Sequence, residues 1–353
     1  MISSGSLLDD IVSGAESPGP AQHRPADPFQ QHIRDIVSPH LQAQPDARQA
    51  ELAARVGDTL SLAMRVVLHH PEFQDLEAAW RSVDFLLRHL ELGSDLQLHI
   101  VDLSKAELLE DLKAEDVEST GLYRLLVEEA GEDPWAVVAG LYTFEADPAE
   151  IRALGPMGKI ARAAGAPFLC SLSPRFMGTD SFDPHIDSDD WQAPIDADAE
   201  EAWSALRNAP EAGWIGAAQP RFLLRYPYGK DASSVDAFPF EEITSPPDHA
   251  DFLWGNPAVA CVSLIGESFA QDGWNIELRN TLISGLPVYT SKVDGDVGMT
   301  PCAECWMTER TSEKFLNRGI MPLASVKRSD SVRLIRLQSI ARPAARLRAR
   351  WSE

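Results

Sequence analysis

Strand and helix signals alternate through most of this chain, and that alternation constrains its fold more than any other feature. The run LQLHIVDL (96–103) has strand character, KAELLEDLKAE and GLYRLLVEEAG follow with helical spacing, and WAVVAGLYTF (135–144) is again strand-like. PAEIRALGPMGKIARAAG then predicts a helix leading into the strand APFLCSLS (166–173). Strand–helix–strand order of this kind gives a parallel sheet with helices covering its faces. A second set follows: PRFLLRYPYG, a helix across DFLWGNPAVACVSLIGESFAQDG, and the strands WNIELRN and GLPVYTSKV. The turn DGDVG closes a hairpin, the helix SEKFLNRG ends at Gly319, and IMPLASVK and VRLIRLQSI read as paired strands. The predicted class is α/β, with a mixed, largely parallel sheet or sheets covered by helices and extended N- and C-terminal arms. No repeat of fixed period is present.

The opening residues 1–30 combine Gly, Ser, Pro and acidic side chains (SGAESPGPAQHRPADP), too polar to bury a core alone. Within them SLLDDIV is an exception: Leu7, Leu8, Ile11 and Val12 are apolar enough to order against a partner. Helical spacing begins near Phe29 and runs to Leu68. The expected organisation is a flexible arm over 1–45, a domain over 46–343 with an acidic excursion at 178–198, and a basic stub over 344–353.

The stretch VVLHHPEFQDLEAAWRSVDFLL (66–87) places two histidines beside a proline and a glutamate. Phe73, Leu76, Trp80, Val83 and Leu87 recur at steps of three and four, one face of a helix, and that face is expected in the core together with Trp254. Pro71 suits a first helical turn and Glu72 suits the positive end of the helix dipole. HHPE therefore reads as a helix start, because neighbouring side chains there point apart and cannot converge on one reacting atom.

Charge excludes other classes. A formal net charge of −23 opposes general affinity for nucleic acid or anionic lipid. From Lys327 to Glu353 eight basic and two acidic residues give about +6, leaving about −29 on the rest, which suits docking of the tail onto the chain itself or onto a like neighbour, and equally a plain solvated tail. The start has no basic segment followed by an apolar one, and no run reaches the ~18–20 apolar residues of a membrane span. Four cysteines with one close pair fit a reducing, cytoplasmic compartment.

Each chemical motif has a plainer reading. Cys302 and Cys305 in CAEC have the spacing of half a zinc site, but Cys170 and Cys261 each stand alone in apolar runs. Asp180, Asp183, His185, Asp187, Asp189 and Asp190 lack the glycine and closing glutamate of a calcium loop. GESFA (266–270) falls inside a helix pattern and ends in Ala270 where a nucleophile elbow needs glycine. YGKD lacks the glycine spacing of a phosphate loop, and Glu241 and Glu242 in PFEEIT face opposite ways if extended. No catalytic, cofactor or metal residue is assigned.

Taken in order, several stretches resemble the large subunit of the type VI secretion contractile sheath, the TssC or VipB family. They are LHHPEFQDLEAAWRSVDFLL, VDLSKAELLEDL, APFLCSLSPRFMG, QPRFLLRYPYG, FPFEE, HADFLWGNPAVA, GLPVYTSKVDGDVGMTPCAECWMTERTSEKFLNRGIMPL and LQSIARP, covering about residues 55 to 343. The resemblance implies a bacterial structural protein that pairs with a small sheath subunit (TssB/VipA-like) and with further copies of itself. It also implies contacts with inner-tube, baseplate and unfoldase components. Family members interlace extended segments as added strands, so Leu7, Leu8, Ile11 and Val12 at the start, and Val332, Leu334, Ile335 and Leu337 near the end, become candidate assembly segments. Relatives usually continue well past the point matching LQSIARP. This leaves a truncated, non-polymerising paralogue with a capping, baseplate-linked or regulatory role as an alternative. A metal or thiol enzyme built on Cys302 and Cys305 is a third reading.

Overall fold

The run Phe168–Leu172 (β2) is buried at every position, as a strand covered on both faces must be. In the computed structural model it lies between two parallel neighbours, β1 (Val138–Phe144) and β3 (Ile215–Gln219). The structure describes residues 47–352 except 132–133, 184–186, 231–233, 245–246, 277, 279 and 294–295. The chain divides into two units, Met1–Val56 and Gly57–Glu353. Of the first, the described residues 47–56 are the opening turns of the helix α1 (Ala47–Leu68). The sheet belongs to the second.

Its strand order is β1-β2-β3-β9-β10-β6. β9 (Ile320–Ser325) runs parallel to β3, while β10 (Val332–Leu334) is antiparallel to both β9 and β6 (Leu282–Ile283). The result is the mixed, largely parallel sheet expected from the alternation. Side chains alternate across it. Phe168 and Cys170 join a core that includes α4 (Pro148–Ala164), α5 (Ala197–Asn208) and α7 (Glu309–Asn317) through Ile151, Trp203 and Phe315. Leu169 joins the opposite core, with Val259 and Leu264 of α6 (Pro257–Asp272) and Phe85 and Leu86 of α2 (Pro71–His89).

Helix ends carry the sequence signals that place them. Asp147 accepts hydrogen bonds from the amides of Ala149 and Glu150, Pro148 opens α4, and Gly165 closes it at φ +68°. Ser104 and Glu107 form a capping box on α3 (Lys105–Asp111). Gly319 follows α7 at φ +80°, where a side chain would be strained.

Three expected elements differ. Residues 96–103 belong to no strand, and Ile100 and Val101 are exposed: strand propensity does not make a strand without a neighbour to pair with. PRFLLRYPYG yields only β4 (Phe222–Leu223), paired with β5 (Trp254–Gly255), so the expected helix starts later, at Pro257 capped by Asn256. Two residues of WNIELRN lie outside the described ones, and the strand forms after it, as β6. The hairpin does form, from β7 (Thr290–Val293) and β8 (Asp296–Met299).

Candidate assembly surface

The face of α2 built from Phe73, Leu76, Trp80 and Leu87 points to solvent, with Trp80 64% and Leu76 59% exposed. Only Val83 of that set is half-buried. This corrects the expectation of a core face. The buried side is nearly opposite on the helix: Ser82, Phe85 and Leu86, with Ala78 packed against the same core. The reason lies in packing. Small residues at 78 and 82 keep this side of the helix slim, and Phe85 meets Phe222 edge-on at 5.4 Å. Trp254 is buried, its indole N–H donating to His249 O at 3.0 Å. On α1 beyond Gly57, Leu60, Leu62, Val66 and Val67 are also exposed. Large apolar side chains grouped on exposed helix faces mark a surface built to be covered.

A buried ionic cluster holds α2 in this orientation. Arg225 donates from Nε to Glu77 Oε1 at 2.7 Å, and from Nη1 and Nη2 to the two oxygens of Glu242 at 2.7 and 2.9 Å. Glu77 also accepts from Arg81 Nε at 2.7 Å, and Glu242 from the amide of Tyr228 at 2.6 Å. Burial alone would raise the Glu77 carboxyl, but hydrogen bonds and charge from Arg225 and Arg81 hold it below the usual range. Glu242 is buried while Glu241 is exposed; neither lies in a strand, and they accept from the amides of Tyr228 and Lys230 respectively, so only Glu242 enters the cluster. The HHPE stretch is a helix start: His70 precedes the helix with an extended backbone and Pro71 opens it. His69 reaches Asp251 at 3.2 Å, fastening the junction to a second segment.

The candidate assembly segments fare differently. Leu7, Leu8, Ile11 and Val12 lie outside the described residues. Val332 and Leu334 are interior, and β10 already has a strand on each side, so this segment cannot accept another chain's strand. The sequence pattern was that of a strand, and its own sheet uses it. Ile335 remains exposed and Leu337 is half-buried just beyond. The basic end also docks on its own domain: the amides of Arg348 and Arg350 donate to Gly213 O at 2.7 Å and Gly165 O at 3.1 Å, and Leu347, Ala349 and Trp351 are buried.

The motifs with chemical potential are buried or ion-paired within the fold. Cys302 and Cys305 sit in a buried loop beside β4, where Ala303 bridges Phe222. Burial, with Asp330 nearby, pushes the Cys302 thiol up to about 11, and burial pushes Cys305 higher still. Cys261 is pushed up to about 12 by burial, and Cys170 is raised by burial and the neighbouring Cys261. Such thiols are poor nucleophiles and poor ligands at neutral pH. Among the described residues no group of three or more His, Cys, Asp or Glu side chains is placed to hold a metal ion. The acidic excursion folds back on α7: Asp189 pairs with Arg310 at 2.9 Å and Lys314 at 3.1 Å, over Phe182 and Trp191 packed on Phe315. His185 lies outside the described residues. GESFA lies within α6, in helix and not at a strand-to-helix turn.

Sequence reasoning missed two of the carboxylates that hold buried or half-buried arginines, Glu304 and Glu77. Glu304, between the two cysteines, takes Arg221 Nη2 at 2.6 Å and His249 Nε2 at 3.1 Å. Burial would raise its carboxyl, yet the Arg221 charge and the hydrogen bonds from His249 and Arg221 lower it to about 2. Glu77 and Arg225 stand 148 positions apart, beyond any periodicity.

Fold and surface together define the class: an α/β domain with buried ion pairs and, among the described residues, apolar helix faces exposed to solvent. Residues 50–341 match the model of VipB, the EvpB/VC_A0108 tail sheath N-terminal domain, and the chain belongs to that family. It is similar to the type VI secretion system sheath protein TssC1 of Pseudomonas aeruginosa (strain PAO1), with 31% identity over 305 residues, 83% of this chain. The chain spans 61% of the length of that curated relative.

Proposed function

We propose that this protein is the large structural subunit of a type VI secretion contractile sheath, assembling with a small sheath subunit and further copies of itself around an inner tube and transmitting contraction. It works in the bacterial cytoplasm and carries no catalytic residue. The observation that carries this reading is the solvent-facing apolar stripe Phe73–Leu76–Trp80–Leu87 on a helix whose other side is locked by buried ion pairs. A stripe of that size left in water lowers solubility and stabilises nothing within the chain; covered by a partner, each large side chain removed from water contributes about 1.5–3 kcal/mol. No helix among the described residues is long and apolar enough to cross a membrane. Co-expression with a small sheath subunit tests the reading: a stoichiometric complex, with tubes or rings in electron micrographs, is expected. A chain that stays solitary beside that subunit would count against it.

A further inference from the structure

A cavity of about 570 Å³ opens where the parallel strands β1, β2 and β3 end, walled on one side by α2. The carboxyl edge of a parallel sheet is where open α/β folds hold their ligands. Ser173 follows β2 and Gln219 closes β3. Both line the cavity, and they are only 4% and 1% exposed. The Gln219 amide nitrogen donates to Leu172 O at 2.6 Å and to Ser173 O at 2.7 Å, which leaves its Oε1 as an acceptor. That Oε1 and the Ser173 Oγ have no hydrogen-bond partner among the described residues. Buried polar atoms without partners are uncommon, and two in the wall of one cavity point to a ligand.

The charges of the lining say which kind. Its two cations are engaged: Lys105 with Glu150 at 2.7 Å, and Arg221 with Glu304 at 2.6 Å. Asp180 is paired with Arg175. Asp75 and Glu145, both exposed at the mouth, make no salt bridge among the described residues, and Asp75 touches Arg221 only through its field. The unused capacity is therefore mostly of acceptors: two carboxylates outside, an amide oxygen and a hydroxyl within.

We propose that this cavity receives a cationic hydrogen-bond donor, an alkylammonium or guanidinium group. The cation meets Asp75 and Glu145, and its N–H groups are directed at Gln219 Oε1 and Ser173 Oγ, an arrangement of charge-assisted hydrogen bonds. The group arrives either on a lysine or arginine side chain of another polypeptide or as a free amine. The inference does not depend on sheath assembly, because the cavity lies wholly within one chain.

Calorimetric titration of the purified full chain tests it, with three probes: a capped Gly-Arg-Gly peptide, putrescine, and a capped Gly-Glu-Gly peptide. Saturable binding of a cationic probe is expected, with no binding of the acidic one. Tighter binding of the peptide assigns a side chain as the source; tighter binding of putrescine assigns a free amine. Glu145→Gln and Asp75→Asn, both at exposed positions, are each expected to weaken binding about tenfold, a factor worth 1.4 kcal/mol. Glu115→Gln, an exposed change outside the cavity, leaves affinity unchanged. Ser173→Ala weakens binding without altering net charge, which separates the cavity from general attraction to an acidic protein. The proposal is overturned if no cationic probe saturates, if the acidic peptide binds equally, or if Glu115→Gln matters as much as Glu145→Gln.

Discussion

Glu304 is a buried carboxylate held well below its usual range by the Arg221 charge and by hydrogen bonds from His249 and Arg221. Its folded carboxyl lies near 2, below the ordinary 4.5, so it binds its proton less readily folded than unfolded. The stability this gives is fully present above about pH 4.5 and is lost as pH falls through the folded value, by linkage about 3 kcal/mol in all. Urea denaturation between pH 5 and pH 2.5 should show that loss in the natural chain and a flatter profile in Glu304→Gln. An equal slope in both would contradict the assignment. The four buried thiols give a second residue-scale expectation. Burial keeps them protonated, so a thiol reagent at pH 7.5 should label none until the chain unfolds. Fast native labelling at Cys302 or Cys305 would revive the thiol-enzyme reading.

At the scale of elements, α2 is where the sequence told half the truth. The spacing of Phe73, Leu76, Trp80 and Leu87 located an apolar face, and Pro71 located the helix start. Periodicity reports which side of a helix is apolar; it does not report whether that side meets the chain's own core or another molecule. The side that does meet the core carries Ala78, Ser82 and Phe85, with Glu77 reaching a buried arginine 148 positions away, a pattern with no signature in a local window. By contrast β1, β2, α4 and α7 were legible because caps, glycine stops and apolar runs are local. The segment 96–103 was misread because strand propensity was present and, among the described residues, a pairing neighbour was not. Phe85→Ala should destabilise by about 3–5 kcal/mol, whereas Trp80→Ala should stay within about 0.5 kcal/mol in the isolated chain. Arg225→Ala, which takes the arginine from buried Glu242 and leaves Glu77 to Arg81 alone, should also lose about 3–5 kcal/mol. Thermal or urea unfolding of the three variants distinguishes them, and a Trp80→Ala loss as large as that of Phe85→Ala would show that the stripe is internal after all.

For the whole molecule, the pieces share a division of labour. Ionic clusters, the two-faced core and the docked basic end hold the domain together, while among the described residues α1 and α2 carry large apolar side chains exposed to solvent. The family match over residues 50–341 is to a tail sheath N-terminal domain, and the proposal is that sheath assembly covers these faces. The most direct measurement is the affinity of this chain for a small sheath subunit, compared with a Leu76→Asp/Trp80→Asp double variant whose unfolding temperature is checked first. Tight binding by the natural chain is expected. The variant should fold as well and bind at least about thirtyfold more weakly, as for loss of an interface anchor worth 2 kcal/mol or more. A folded variant that binds the subunit as tightly as the natural chain would contradict the claim that this face is where assembly occurs.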